Sequence, residues 1–308
     1  MNDPQESCAN CGAALQGPFC AKCGQSREAI KRPFLALIKD ALDGALDWDG
    51  RLLTTVRALF LKPGLVGREY VEGHRARYTP PVRMYLSVSL IFFLAMAALD
   101  FRVIAIQLTD IPREIVEQAQ SPALDELNEI GVDQSITITL FQKGDPPDPI
   151  DLTPEEWARA ESILGSRGRL TQLSLEMLRS PAEFEARVSA GAAQALFIML
   201  AGFALINVLL HTRCRLIEHV VYSLYYHAAF LLIGGVILTI AAFVSNGWIL
   251  TGLTVVMLAA YLLLTGAYDR SFYGSSWIGV ILRVPVIMAL YAMLLLGALL
   301  AAVLIAYA

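Results

Sequence analysis

Residues 220–244 read VVYSLYYHAAFLLIGGVILTIAAFV, and this stretch decides the fold class. It holds no Asp, Glu, Lys or Arg, and at about 1.5 Å per helical residue it exceeds the ~30 Å hydrocarbon core of a bilayer. An uncharged apolar run of that length is too long for the core helix of a soluble domain and reads as a membrane-spanning helix. Residues 189–210, 247–268 and 284–307 read the same way. Residues 84–99 are uncharged over 16 positions between Arg83 and Asp100. That run covers only about 24 Å as a helix, and Arg83 can make up the difference by snorkelling. Five spanning helices are expected.

Composition agrees. The chain has 308 residues, 56 % of them apolar and 17 % charged, with a mean hydropathy of +0.54. Soluble domains sit nearer 45–50 % apolar and about 25 % charged. These values exclude an ordinary soluble enzyme and a disordered chain. The opening segment, 1–32, is polar and has no apolar stretch of the kind a secretory leader needs.

Outside the apolar runs the chain divides by composition. Residues 1–27 hold four cysteines and form one unit. Residues 28–82 are amphipathic, with apolar positions at helical spacing around Leu35–Leu46 and Leu52–Phe60, a break at Pro63-Gly64, and a short helix over 65–72 ending at Gly73. The first spanning helix occupies 83–99. Residues 100–188 form an acidic extramembrane insertion with 17 Asp/Glu against 8 Lys/Arg. Helices are expected there over 112–130, 154–164 and 170–188, with a strand over 135–141. Residues 189–308 form a four-helix transmembrane region.

Basic residues near short loops set orientation. Arg75, Arg77 and Arg83 precede the first helix, Arg213 and Arg215 lie between helices two and three, and Arg270 and Arg283 lie between four and five. The link at Ser245-Asn246 has no charge. The expectation is a multi-pass protein of a cell inner membrane with its N-terminus cytoplasmic, and with the insertion and C-terminus outside.

Cys8-x2-Cys11-x8-Cys20-x2-Cys23 is the most specific chemical pattern. Each Cys-x2-Cys pair can form a knuckle, and two knuckles supply the tetrahedral four-sulfur shell that zinc prefers. Gly12 and Gly24 follow the pairs, which suits a tight turn. So short a unit cannot build an adequate apolar core, so the metal has to supply folding energy. Disulfides need an oxidising compartment, and no thioredoxin-like pattern surrounds either pair. An iron–sulfur cluster is the remaining metal alternative. One zinc ion held by four thiolates has no open position and is structural. Lys22 and Arg27 are the unit's only basic residues, which argues against nucleic-acid binding.

Glu218, His219 and His227 stand at the start of the third helix. His219, Ser223 and His227 follow steps of four on one stripe, and an ionisable group inside a membrane is a candidate for function. The alternative is structural: an interfacial His219 and a His227 bonded to a neighbouring helix. No His-Glu-x-x-His, nucleophile elbow or phosphate-binding loop occurs, and no catalytic residue is assigned. Asp269-Arg270 reads as a local ion pair or a topology signal. Arg75, Arg77 and Arg83 lie among Tyr70, Tyr78 and Tyr85, where they can anchor topology or contact lipid headgroups.

Three blocks together carry a family resemblance. They are Phe19-Cys20-x2-Cys23-Gly24-Gln25, then Lys62-Pro63-Gly64 with the run from Arg68-Glu69-Tyr70 through Gly73-His74-Arg75-Ala76-Arg77-Tyr78 to Pro81, and Glu218-His219 with His227. The chain resembles bacterial zinc-ribbon integral membrane proteins catalogued as domain-of-unknown-function family 3667. The resemblance implies an inner-membrane protein and no assigned activity. The expected object is an all-α integral membrane protein with a small N-terminal zinc ribbon built on four cysteines. Its expected role is that of a non-enzymatic adaptor or assembly protein, with the bilayer and a cytoplasmic protein as partners. The alternative is a small membrane transporter or membrane enzyme using Glu218, His219 and His227.

Overall fold

The computed structural model describes residues 7–27, 50–110, 134–164, 169–244 and 247–306. The helices expected around Leu35–Leu46 and over 112–130 lie outside these residues. The chain falls into two compact units, one formed by Met1–Met96 with Phe197–Leu296 and the other by Ala97–Leu196 with Gly297–Ala308.

In the first unit, α1 (Arg51–Leu61) and α2 (Leu65–Val71) form a bent pair. The bend is at Gly64, whose φ of 79° only glycine adopts readily. A Cβ there would also lie 2.7 Å from the carbonyl oxygen of Tyr268. The end of α2 is closed by Gly73 at φ 104°. The His74 N–H donates to the Glu69 carbonyl and the Gly73 N–H to that of Tyr70, the paired pattern of a Schellman motif. The chain then runs through Thr79-Pro80 into α3 (Pro81–Ala98), where proline at the first helical position has no N–H left unsatisfied.

Among the described residues, four helices are long and apolar enough to cross a membrane: α3, Leu216–Ala241, Trp248–Tyr273 and Trp277–Ala301. The last three belong to α7 (Leu216–Ala241), α8 (Gly247–Tyr273) and α9 (Trp277–Ala306). The fifth expected run, 189–210, lies inside the longer α6 (Pro181–Leu210). Its described apolar part, Phe197–Leu210, is a shorter segment. Trp248, Val255, Leu263, Ile278, Ile281 and Leu296 project as exposed apolar side chains. A water-facing surface would not carry so much contiguous apolar area, but a lipid-facing one does.

The buried side of α7 is aromatic. Tyr222, Tyr225 and Tyr226 are all fully buried. Tyr226 shares a hydrogen bond with Thr265 of α8 at 2.8 Å, and Phe230 stacks on Tyr261. Tyr225 donates to the Thr79 carbonyl at 2.7 Å, the Thr79 N–H donates to Thr55 Oγ1 of α1, and the Phe272 ring fills the space beside Gly67. These contacts fasten α1, α2 and the approach to α3 onto α7 and α8.

The second unit holds a two-stranded antiparallel ribbon, β1 (Phe101–Asp110) with β2 (Gln134–Lys143), in which Ile106 faces Ile138. The strand expected over 135–141 is β2. Its partner β1 is not among the expected elements, although its alternating Val, Ile and Leu positions suit a strand. The single helix expected over 170–188 is two: α5 (Arg169–Arg179) ends at Ser180, and Pro181 begins α6. Proline disfavours helix in the residue before it and cannot donate to the preceding turn. The helix expected over 154–164 is α4 (Pro154–Leu164). A reciprocal Thr153–Glu156 capping box opens it. The Thr153 N–H holds the Glu156 carboxyl below its ordinary pKa.

Trp157 and Ala160 of α4 pack on Leu175 and Leu178 of α5. Ile106, Met177, Phe184 and Val188 form a second cluster. The buried Glu185 carboxylate pairs with Arg102 and accepts the Ile106 N–H, tying α6 to β1.

Gly64→Ala is expected to cost about 3 kcal/mol, the upper range for a non-glycine residue held in that conformation. Gly252→Ala, where a Cβ meets nothing within 4 Å, is expected to be neutral or slightly stabilising. Thermal unfolding of the detergent-solubilised protein compares the two.

Candidate metal centre and the polar cluster of the helical bundle

The two cysteine knuckles are near copies of one another. The Gly12 N–H donates to the Cys8 carbonyl and the Gly24 N–H to that of Cys20, both at 2.8 Å. Both glycines have φ of 71°. Residues 7 and 14 bridge around the first knuckle, and 19 and 26 around the second. The sequence pattern thereby brings all four sulfurs together. Cys8 Sγ lies 3.6 Å from Cys23 Sγ, and Cys11 Sγ 3.5 Å from Cys20 Sγ. All four lie within 4.8 Å of one another and can hold a metal ion. A tetrahedron with metal–sulfur bonds of about 2.3 Å has edges of about 3.8 Å, so the observed spacing fits. N–H donors from Cys23 and Lys22 lower the Cys20 pKa to about 6, while Cys11 in the same cluster is raised to about 11.

The ribbon is not a free module. Gln25, directly after the second knuckle, is buried. Its Nε2 donates to the Gly73 carbonyl at 2.8 Å, and its Oε1 accepts from the N–H groups of Arg75 and Ala76 at 3.0 and 3.2 Å. One side chain thus closes three backbone groups of the approach loop. Nothing in the local sequence points to this use of Gln25, because its partners lie some fifty residues away.

The residues expected as an intramembrane site separate into two groups. His227 is buried in the bundle. Its Nε2 bonds the Tyr291 hydroxyl at 2.8 Å, and its Nδ1 faces the Ser223 carbonyl at 2.7 Å. Phe203 packs edge-on against its ring. His219 belongs elsewhere, its Nδ1 bonding the Tyr273 hydroxyl at 2.7 Å. Tyr273 in turn stacks on His211 with centroids 3.7 Å apart. His211 Nε2 lies 2.9 Å from Asp269 Oδ1, off the line of a hydrogen bond but within ion-pair range. Arg283 reaches the other oxygen of Asp269 at 3.5 Å. Glu218 is half-buried on the first turn of α7.

Asp269 is fully buried, and the sequence reading pairs it with Arg270. Its partners are instead His211 and Arg283, and Arg270 lies over the Trp277 ring. On a helix, neighbours in sequence point to different faces, so Asp269 and Arg270 do not meet. Around this centre His219 Nε2, Tyr222 Oη, Asn207 Oδ1 and Arg283 Nε are buried with no hydrogen-bond partner among the described residues. Buried polar atoms are normally satisfied, so this group of exceptions calls for a partner such as bound water.

The three arginines expected at the headgroups do not act as one fork. Arg75 donates from Nε to the Tyr70 carbonyl and lies over the Tyr70 ring. Arg77 is exposed, 3.7 Å from Glu69. Arg83 sits on the first turn of α3.

These features define a mostly helical protein with membrane-crossing helices and an N-terminal cysteine cluster able to bind a metal. The model of a family described as Protein of unknown function (DUF3667) matches residues 49–93. That match supports the family resemblance over α1, α2, the approach loop and most of α3. The ribbon and the α7 histidines lie outside it. No curated protein and no solved structure matches the chain.

Gln25→Ala is expected to cost about 1 kcal/mol locally, since it removes the acceptor of the Ala76 N–H and leaves the Gly73 carbonyl and the Arg75 N–H with only each other. The readout is faster amide exchange at Arg75 and Ala76 with the metal content unchanged. Asp269→Asn removes the charge facing His211 and Arg283, and is expected to lower stability by about 3 kcal/mol. Thermal unfolding in detergent tests it, with Arg270→Gln, outside the cluster, expected to have little effect.

Proposed function

We propose that the protein is a non-enzymatic scaffold or assembly factor of the inner membrane, with its ribbon on the cytoplasmic face. The ribbon is closed by one structural zinc ion and offers a rigid platform to a cytoplasmic protein partner. The acidic segment and the C-terminus lie outside. The observation that carries this reading is the Gln25 bridge, which joins the ribbon to the approach loop as one surface. Four thiolates around zinc leave no coordination position for chemistry, which favours a shape-holding role. The basic residues gathered near the short loops favour the orientation.

A second reading is favoured by the buried Asp269 centre. A charged group held inside a helical bundle with unpaired polar neighbours suits a small transporter or membrane enzyme. Its polar site would be His211, His219 and Asp269, with Glu218 at its edge and His227 deeper in the bundle.

Elemental analysis of the purified full-length protein separates the two. The scaffold reading expects one zinc per chain, retained in the His219→Ala/His227→Ala variant. It also expects Cys8→Ser to lose the zinc while the chain still sediments with membranes. A second metal equivalent that disappears in the histidine variant would transfer the assignment to transport or catalysis.

A further inference from the structure

Beside the ribbon lies a cavity of about 530 Å³, within the size range of small-ligand sites. Asn10 of the first knuckle, Arg68, Glu69 and Glu72 of α2 and its end, and His74 and Arg77 of the approach loop contribute to its wall. All but Asn10 fall within the residues matched by the family model. The wall is mixed in charge because of helical spacing: Arg68 and Glu72 are four apart and pair at 2.9 Å. Glu69 accepts from the Tyr78 hydroxyl at 2.6 Å and stands 3.7 Å from Arg77. His74 Nδ1 is buried with no hydrogen-bond partner among the described residues.

The half-exposed Arg68–Glu72 pair and the contact of the exposed Arg77 with Glu69 contribute little to stability, so a ligand that replaces them gives up little. A simple anion in the cavity would face Glu69 and Glu72, and a simple cation would face Arg68 and Arg77. A ligand carrying a phosphate two carbons from a primary ammonium answers both signs at once. Guanidinium forks suit phosphate oxygens, and an ammonium supplies three donors to carboxylates. A quaternary ammonium has no such donors and needs an aromatic cage. No Phe, Tyr or Trp is among the described residues lining the cavity.

We infer that this cavity binds a phosphoethanolamine group, with the phosphate on Arg77, Arg68 and His74 and the ammonium on Glu72 and Glu69. Two sources offer that chemistry: the headgroup of phosphatidylethanolamine and free phosphoethanolamine. The cavity wall ends only a few residues before Pro81 opens α3, which places it beside the headgroup layer. The inference rests on the membrane reading above only for that placement.

The test uses the full-length protein in phosphatidylcholine nanodiscs doped with photoactivatable phosphatidylethanolamine, phosphatidylglycerol or phosphatidylcholine. The expected result is labelling of the peptide spanning 65–78 by the ethanolamine lipid at least about tenfold above the other two. Arg77→Gln and Glu72→Gln are each expected to lower it about tenfold, as for loss of one hydrogen bond to a charged group. Unchanged metal content in both variants certifies that the ribbon remains folded. Competition by soluble phosphoethanolamine, with lipid labelling present, supports the lipid source. Saturable binding of the soluble compound without lipid labelling supports the free one. Equal labelling by phosphatidylglycerol, or labelling insensitive to Glu72→Gln, overturns the inference. Recovery of the chain outside the membrane fraction would instead overturn the membrane reading, so the two failures are distinct.

Discussion

The chain meets its hardest constraint at Thr79. It is 1 % exposed and is followed by two prolines, neither of which can donate a backbone hydrogen bond. A buried peptide group without a partner costs several kcal/mol near a hydrocarbon phase. Both groups of Thr79 are satisfied from outside the local chain. Thr55 on α1 takes the amide, and Tyr225 on α7 donates to the carbonyl. Neither bond is possible unless α1 is folded back and α7 stands beside α3. α1, α7 and the approach to α3 thus meet at this one residue.

The same requirement repeats a few residues earlier, with a different solution. After α2 ends at Gly73 the chain has left helix and not yet begun α3. Its amides at 75 and 76 and the carbonyl of 73 are taken by the single Gln25 side chain. Gln25 can hold that position only if the knuckle before it is rigid. A ribbon of this size has little apolar core of its own, so a metal held by the four sulfurs would be what makes it rigid. The cysteine cluster at the N-terminus and the backbone geometry of the approach loop are therefore joined through Gln25, although some fifty residues separate them in sequence.

The sequence is legible where the signal is local. The Cys-x2-Cys pairs predict their own clustering because knuckle geometry is fixed within four residues. Long uncharged runs predict helices because backbone groups in lipid have no other internal partner. The strand β1 escapes because its apolar residues follow directly on those of α3, which hides the change of period. The Ser180-Pro181 break is readable from proline chemistry alone, but an apolar pattern that runs on across it masks the stop. The polar centre is only half legible. His219, Ser223 and His227 share a stripe, yet only Ser223 and His227 come within bonding distance. His219 is captured by Tyr273 from α8, and Asp269 by His211 and Arg283. Those choices depend on which helices pack together, which a one-dimensional pattern does not carry.

That packing shifts where function is to be sought among the buried ionisable groups. Both ring nitrogens of His227 face partners, and its ring packs against Phe203, so its place is explained by fit. Asp269 is not explained that way. A buried ion pair seldom stabilises more than well-packed apolar residues of the same volume would. The nearby unpaired atoms of His219, Tyr222 and Asn207 add a further penalty. The bundle keeps charged and polar side chains buried in this corner all the same. Its retention of a carboxylate between an imidazole and a guanidinium, capped by a tyrosine stacked on one histidine and bonded to the other, marks the corner as the polar centre of the helical region. The partners that Asp269 faces are His211, just after α6, and Arg283 of α9, while His227 lies apart from it on α7.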